Sequence, residues 1–179
     1  MQSSRAHRLT ITLLDVEPPV QRTIEVPGPT TLGELHTIVQ AAMGWENAHL
    51  HAFETDGHRY GTPGLELGFA DENHITVAEA LPRKDSRLIY EYDFGDGWRH
   101  EIKTEEIRGT TPDTELPRVI AGTGACPPED CGGPWGYADL LEVLSDPTHP
   151  DHADRLEWTG GPIDPKAFDL TETAARLRD

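Results

Sequence analysis

Two short stretches of the chain concentrate side chains that could do chemistry. The stretches are residues 93–100 and residues 126–133; each carries two acidic residues, and the first also carries aromatic residues and a histidine. If the stretches meet in the fold, their carboxylates form an acidic cluster that could bind a divalent cation, or supply an acid and a base with separated pKa values. Alternatively, these acids only shape loops, since Asp side chains readily bond nearby backbone. The candidate rim of a binding site comprises Asp93, Asp96, Trp98, His100, Glu129 and Asp130.

The two cysteines raise the possibility of a metal site. Cys126 and Cys131 flank four residues, a separation compatible with two thiolates on one zinc ion, and His100 is the best third ligand. No cofactor is predicted outright, but a divalent metal such as zinc is possible. Zinc sites built from cysteine pairs usually show a second pair, which this sequence lacks. Packing of both cysteines as small hydrophobic residues is therefore favoured, and oxidative closure of the loop stays open.

A pair of histidines offers another candidate site. His49 and His51 alternate along a predicted strand from His49 to Glu54, so their side chains would share one face. Such a pair could chelate a metal or hold a polar ligand. More often, histidines of this kind are half-buried sheet residues that bond to neighbours, and we favour that interpretation.

The first reactive stretch lies in a predicted β-hairpin. Alternation of residue types on both sides of a Gly-Asp-Gly break predicts strands at Leu88–Phe94 and Trp98–Lys103. One face is then aromatic and the other ionic, and the aromatic face is expected to be core rather than a stacking surface for bases. A three-residue loop sets the register through facing pairs: Phe94 with Trp98, Asp93 with Arg99, Tyr92 with His100 and Tyr90 with Ile102.

The second reactive stretch must fold back to meet the hairpin. Two prolines and two glycines within Cys126–Gly133 pre-shape a compact loop, so we predict that it packs against Gly95–His100. We call Cys126–Gly133 the Cys loop.

The remaining patterns predict a single α+β domain. Two alternating strands precede a capping box at Thr31 and Glu34, which predicts a helix ending at Gly44. This order of strand, strand, helix and strand resembles the opening of a β-grasp unit. We therefore expect residues 1–179 to form one domain with an ordered core of about 8–177, a mixed, mostly antiparallel sheet, a β-grasp-like N-terminal half and a helical C-terminal part. Helices are predicted near Tyr137–Leu144, His152–Leu156 and Pro165–Leu177.

The two reactive stretches also carry a family resemblance. The run from Tyr90 to Asp96 followed by Trp98 and His100, and the run from Cys126 to Gly133 followed by Tyr137, resemble the plasmid pRiA4b ORF-three-like family. Some members of that family are labelled transposon passenger or TnpR-like proteins. The resemblance implies a compact α+β domain of unestablished biochemical role. The TnpR label suggests a resolvase, but no serine here is set among arginines as a serine recombinase requires, so we take the label to describe genomic neighbourhood.

Charge limits the possible partners. The 179 residues include 15 basic and 32 acidic side chains, giving a net charge of −17, which should repel a phosphate backbone. Direct nucleic-acid binding is therefore disfavoured, whereas a basic protein partner is compatible with this charge. No apolar run is long enough to span a bilayer and no secretory signal is recognisable, so we expect a cytoplasmic protein without membrane association.

These observations favour a cytoplasmic binding or accessory protein with an unidentified protein partner and a possible link to mobile genetic elements. The first alternative is a metal-dependent hydrolytic or nuclease-like enzyme that uses Asp93, Asp96, Glu129 or Asp130 with His100. The second is a structural metal or redox-sensitive module. The familiar signatures of serine hydrolases, P-loop proteins, zinc proteases and dinucleotide-binding enzymes are all absent from the sequence.

Overall fold

A computed structural model describes residues 4–179. Eight strands form one sheet in the order β5-β4-β3-β6-β7-β1-β2-β8, and among the described strands only β4 and β5 pair in parallel. The strands are β1 Arg5–Leu13, β2 Gln21–Pro27, β3 His51–Thr55, β4 His58–Gly61, β5 Ala70–Asp71, β6 Arg87–Tyr92, β7 Trp98–Gly109 and β8 Arg118–Thr123.

Five α-helices accompany the sheet in the described part of the chain. They are α1 Leu32–Met43, α2 Val77–Ala80, α3 Gly133–Ser145, α4 His152–Thr159 and α5 Leu170–Arg178, and a single 3₁₀ turn covers Glu72–His74. The predicted α+β domain with a mostly antiparallel mixed sheet is therefore confirmed. The first strand begins at Arg5, three residues before the expected start of the ordered core. No helix within residues 4–179 is long and apolar enough to cross a membrane.

Helix α1 begins and ends at the residues that the sequence predicted. The Thr31 hydroxyl accepts a hydrogen bond from the Glu34 amide at 3.1 Å, and the Glu34 carboxylate accepts one from the Thr31 amide at 2.8 Å. Gly44 ends the helix in the left-handed conformation, at φ 107°. The apolar side of α1 is buried in the core together with residues of the sheet, so the helix covers the sheet as expected.

The hairpin of β6 and β7 has the predicted faces but a different register. Tyr92 faces Trp98, and Tyr90 faces His100, so the predicted pairing of Phe94 with Trp98 and of Tyr92 with His100 is wrong. Glu91 rather than Asp93 faces Arg99, and Leu88 faces Ile102. The strand stops at Tyr92 because Asp93 adopts φ 59° and starts a five-residue turn. A shift of two residues preserves the faces of a strand, which is why the aromatic side remains core.

The C-terminal third contains one strand that the sequence patterns did not reveal. β8 adds to the edge of the sheet beside β2, in a stretch for which the sequence patterns predict no strand. Helices α3 and α4 cover the predicted positions, and α5 begins at Leu170 rather than at Pro165. This third of the chain supplies the Cys loop, which lies between β8 and α3.

Candidate functional site

The hairpin turn positions the first carboxylate of the site. The Asp93 amide donates to the carbonyl oxygen of Leu50 at 2.9 Å, and its own carbonyl accepts from the Gly97 amide at 2.6 Å. Asp93 Oδ1 accepts hydrogen bonds from the amides of Gly95 and Asp96, at 3.1 and 3.3 Å. Asp93 thus shapes the turn through hydrogen bonds to nearby backbone, as the sequence alternative proposed. Only its Oδ1 atom makes these bonds.

The second oxygen of Asp93 faces a histidine from the segment before β3. His49 Nε2 lies 3.5 Å from Asp93 Oδ2, 3.8 Å from Glu129 Oε2 and 2.8 Å from Asp130 Oδ1. The bond from Asp93 to Leu50 places His49 against the turn, two residues before β3 begins at His51. A histidine and three carboxylates from three separate segments therefore converge.

Glu129 reaches this cluster from the Cys loop and is fixed at one oxygen. Its Oε1 accepts hydrogen bonds from the Tyr92 hydroxyl and from the Glu46 amide, each at 2.9 Å. Burial raises the pKa of Tyr92 well above its ordinary value of 10, so the phenol stays protonated and continues to donate. The other oxygen, Glu129 Oε2, is buried and has no hydrogen-bond partner. His49 Nε2 is also buried, and its contact with Asp130 Oδ1 at 2.8 Å lacks hydrogen-bond geometry.

These groups form one set of potential metal ligands. Single ligand atoms of His49, Asp93 and Glu129 all lie within 4.8 Å of one another, and no other group of three or more histidine, cysteine or acidic side chains within residues 4–179 does so. We call these three residues, with Asp130 at their exposed edge, the His49 cluster. One imidazole with two or three carboxylates is a donor set for a divalent metal ion.

The predicted packing of the Cys loop against the end of the hairpin is present. Asp96 Oδ2 accepts a hydrogen bond from the Gly132 amide at 3.2 Å. Gly133 adopts φ 73°, and a Cβ atom at that position would collide with the carbonyl oxygen of Asp96. The loop therefore contacts the turn so closely that no side chain fits between them, and this contact brings Glu129 to Asp93.

Two predicted rim residues lie in the core instead. Trp98 and His100 are completely buried, so neither can contribute to an exposed rim. The Trp45 indole donates to His100 Nε2 at 3.1 Å, and His100 Nδ1 bonds to the carbonyl oxygen of Tyr90 at 3.1 Å. Both ring nitrogens are occupied, which excludes His100 as a free metal ligand in this arrangement. Burial lowers the pKa of His100 to about 4, so the ring is neutral at pH 7.

The cysteines do not join His100. Cys126 lies beside Arg22 and the end of α1, and Cys131 packs in the core. Burial raises the pKa of Cys131 to about 12 and that of Cys126 further still, although a metal ligand must be a thiolate. Both cysteines are free in the structure, which matches the interpretation of two small packed residues.

The two histidines near β3 have separate environments. His51 is buried, bonds to Glu72 at 2.7 Å and stacks on His36 at 3.5 Å between ring centroids. It is a satisfied sheet residue, as favoured from the sequence. His49 precedes the strand and therefore does not share its face with His51. The predicted pairing of His49 with His51 on one strand face is therefore wrong, because the non-local bond between Asp93 and Leu50 places His49 beside Asp93.

Comparisons with known proteins agree with this fold and these motifs. Residues 5–172 match the family described as "Plasmid pRiA4b ORF-3-like protein". The chain is 45% identical over 156 residues to the uncharacterized protein y4hQ of Sinorhizobium fredii (strain NBRC 101917 / NGR234), covering 86% of this chain and 80% of that protein. It is also similar to the crystal structure of MM3350, a protein of unknown function from Methanosarcina mazei Go1, at a TM-score of 0.87 and 34% identity over 96% of this chain and 98% of that one. The chain therefore belongs to the plasmid pRiA4b ORF-3-like family.

Proposed function

We propose that this protein is a cytoplasmic binding or accessory protein that holds a divalent transition-metal ion in the His49 cluster. The observation that supports the proposal is the pair of buried atoms Glu129 Oε2 and His49 Nε2, which lie 3.8 Å apart and make no hydrogen bond of acceptable geometry. A buried carboxylate oxygen without a partner is costly, and a cation between the two atoms would satisfy both.

The exposure of the cluster is compatible with metal entry. The side chains of Asp93 and Glu129 are 9% and 12% exposed, whereas Asp130 is 65% exposed. Two of the three carboxylates are therefore held in place by the protein interior, and the third, that of Asp130, lies at the opening to solvent. Mn²⁺ and Zn²⁺ suit a set that mixes imidazole with carboxylates, because each accepts both ligand types.

Metal-assisted hydrolysis is the second candidate function, and the open side of the cluster favours it. A metal held by His49, Asp93 and Glu129 would keep a position for water beside the exposed Asp130. A bound divalent ion lowers the pKa of such a water molecule and supplies a nucleophile. In this enzyme hypothesis, His49 takes the role that the sequence analysis gave to His100. Asp96 has only a structural role, because its carboxylate bonds to the Gly132 amide of the Cys loop.

An association with mobile genetic elements is part of the proposal. It rests on the family description, which refers to a plasmid reading frame, and on the resemblance to proteins labelled transposon passengers. The role of an accessory protein agrees with the charge, because a net charge of −17 favours a basic protein partner over a phosphate backbone.

Calorimetric titration of tag-free, metal-stripped protein with Mn²⁺ and with Zn²⁺ tests the metal proposal. We expect one ion per chain, with affinity at least about tenfold lower in Glu129→Gln and in His49→Ala. Glu129→Gln keeps the oxygen that accepts from Tyr92 and Glu46, so its fold should persist. Asp56→Asn is the control, since Asp56 is an exposed carboxylate that lies outside the cluster, and its loss should leave affinity unchanged.

Three results separate the alternatives. Absence of binding to the unmodified chain, or equal binding by Glu129→Gln, contradicts the metal site. Hydrolysis of bis(p-nitrophenyl) phosphate that requires Mn²⁺ or Zn²⁺ and is lost in His49→Ala favours the enzyme. A large fall in the thermal midpoint on chelation, without hydrolysis, favours a structural metal.

A further inference from the structure

A cleft separate from the His49 cluster lies where the hairpin turn, the β1–β2 turn and the start of α3 meet. It encloses about 660 Å³, within the size range of ligand sites, and shares no lining residue with the His49 cluster. Three carboxylates line its walls, those of Asp15, Glu17 and Asp96. Apolar surface comes from Pro134, Trp135 and Tyr137. We call this the Trp135 cleft.

Trp135 is the most exposed large apolar side chain in the described part of the chain. Its side chain is 90% exposed, whereas Tyr137 and Leu140 of the same helix are buried in the core. The helix is therefore firmly attached to the protein while it holds a bare indole at the edge of the cleft. Trp, Tyr and Arg dominate the energetics of protein interfaces, and an indole face is the best aromatic partner for a cation.

The carboxylates of the cleft lack cationic partners. Asp15 and Glu17 are exposed, and within residues 4–179 neither they nor Asp96 forms an ion pair. Asp15 adopts φ 63°, so the backbone of the β1–β2 turn fixes the position from which its side chain extends. An exposed ring and unpaired carboxylates around one cleft are complementary to a cationic group that also has an apolar stem, such as the side chain of Arg or Lys.

We propose that the Trp135 cleft docks a basic segment of a partner protein, with an Arg or Lys side chain over the Trp135 ring and its cation against Asp15 and Glu17. The net charge of −17 steers such a segment toward the protein from a distance. A protein segment fits better than a small amine because the Trp135 ring, at the edge of the cleft, is 90% exposed and a small amine would leave most of it uncovered. This inference stands on residues separate from the His49 cluster and does not depend on the metal.

Fluorescence anisotropy with labelled octapeptides tests the proposal on the full chain. We expect an octapeptide of alternating Arg and Gly to bind, its Glu counterpart not to bind, and the affinity to fall as salt is added. Trp135→Ala should weaken binding at least about fivefold, as should the double variant Asp15→Asn, Glu17→Gln. Because Trp135 is almost fully exposed and Asn tolerates positive φ, these variants should fold normally.

Matched controls distinguish this cleft from general attraction by charge. Asp56 is also exposed at positive φ, 49°, and Trp158 is also an exposed indole, so Asp56→Asn and Trp158→Ala should bind as the unmodified chain does. An equal loss in these controls, undiminished binding by Trp135→Ala, or no binding below about 1 mM, the weak end of measurable affinity, overturns the proposal. Competition by free arginine amide or spermidine at the concentration of the peptide would identify a small amine as the occupant and would likewise contradict a protein partner.

Discussion

His100 shows how one buried side chain can look like a ligand in the sequence and be a structural residue in the fold. Its Nε2 accepts from the Trp45 indole, and its Nδ1 therefore carries the proton that is donated to Tyr90. A second proton on Nε2 would point at the indole N–H, so the charged ring would lose its partner inside the core. Burial accordingly lowers the pKa of His100 from its ordinary 6.5 to about 4.

This residue makes stability depend on pH. The folded protein binds the proton more weakly than the unfolded chain does, so the contribution of His100 is complete above pH 6.5 and is lost as pH falls toward 4. We expect the free energy of unfolding in urea to drop between pH 7.5 and pH 5 by about 2 kcal/mol from His100, in addition to the contributions of other buried histidines. His100→Gln, which can still accept from Trp45 and does not titrate, should show a drop smaller by that amount. An identical drop in the variant would show that His100 does not titrate in this range.

At the scale of elements, Glu25 connects four strands. It lies on β2, is fully buried, and accepts hydrogen bonds from Arg8 of β1, Arg108 of β7 and Arg118 of β8 at 2.7 to 3.2 Å. Burial by itself would raise the pKa of Glu25, but the bonds from the arginines outweigh it and lower the pKa to about 2. One carboxylate thus holds together the sheet edge that includes β8.

We predict that Glu25→Gln lowers the free energy of unfolding by about 2 kcal/mol at pH 7, because it exchanges charge-assisted bonds for neutral ones. Glu106→Gln is the matched control, since Glu106 contacts only the outer side of Arg8 at 3.4 Å with half of its side chain exposed. That control should change stability by less than about 0.5 kcal/mol. Equal effects in urea unfolding would show that the buried position of Glu25 is energetically unimportant.

The elements that could be predicted from sequence are those whose signals are local. The cap of α1 and the faces of the hairpin depend on neighbouring residues, and both are present as predicted. The register required knowledge that Asp93 adopts φ 59° and bonds across to Leu50, and β8 exists because β2 offers it a pairing edge. The His49 cluster combines three segments that meet only after folding, so the sequence suggested His49 and the carboxylates separately but not their meeting in one site.

At the scale of the whole molecule, acidic side chains outnumber basic ones by 32 to 15, and several basic side chains are already paired. The arginines Arg8, Arg108 and Arg118 converge on Glu25, and Arg87 pairs with Glu101. The net charge of −17 therefore dominates the long-range electrostatic field of the protein.

We expect the protein to bind random duplex DNA more weakly than about 10⁻⁴ M at physiological salt, which is below the range of ordinary non-specific binders. Fluorescence anisotropy with a labelled duplex, with and without Mn²⁺, measures this affinity. Micromolar binding that weakens steeply with salt would reveal a cationic surface and contradict the expectation. Binding that requires Mn²⁺ would instead place DNA at the His49 cluster, and Glu129→Gln should then abolish it.

The contact between Gly133 and Asp96 has a thermodynamic consequence. It joins the turn that carries Asp93 to the loop that carries Glu129, and Asp96 also lines the Trp135 cleft. A ligand in the cleft that shifts α3 against the turn changes the separation of the two carboxylates, and so changes metal affinity. If both proposed ligands bind, linkage requires the metal to change the affinity of the cleft for its ligand by that same factor.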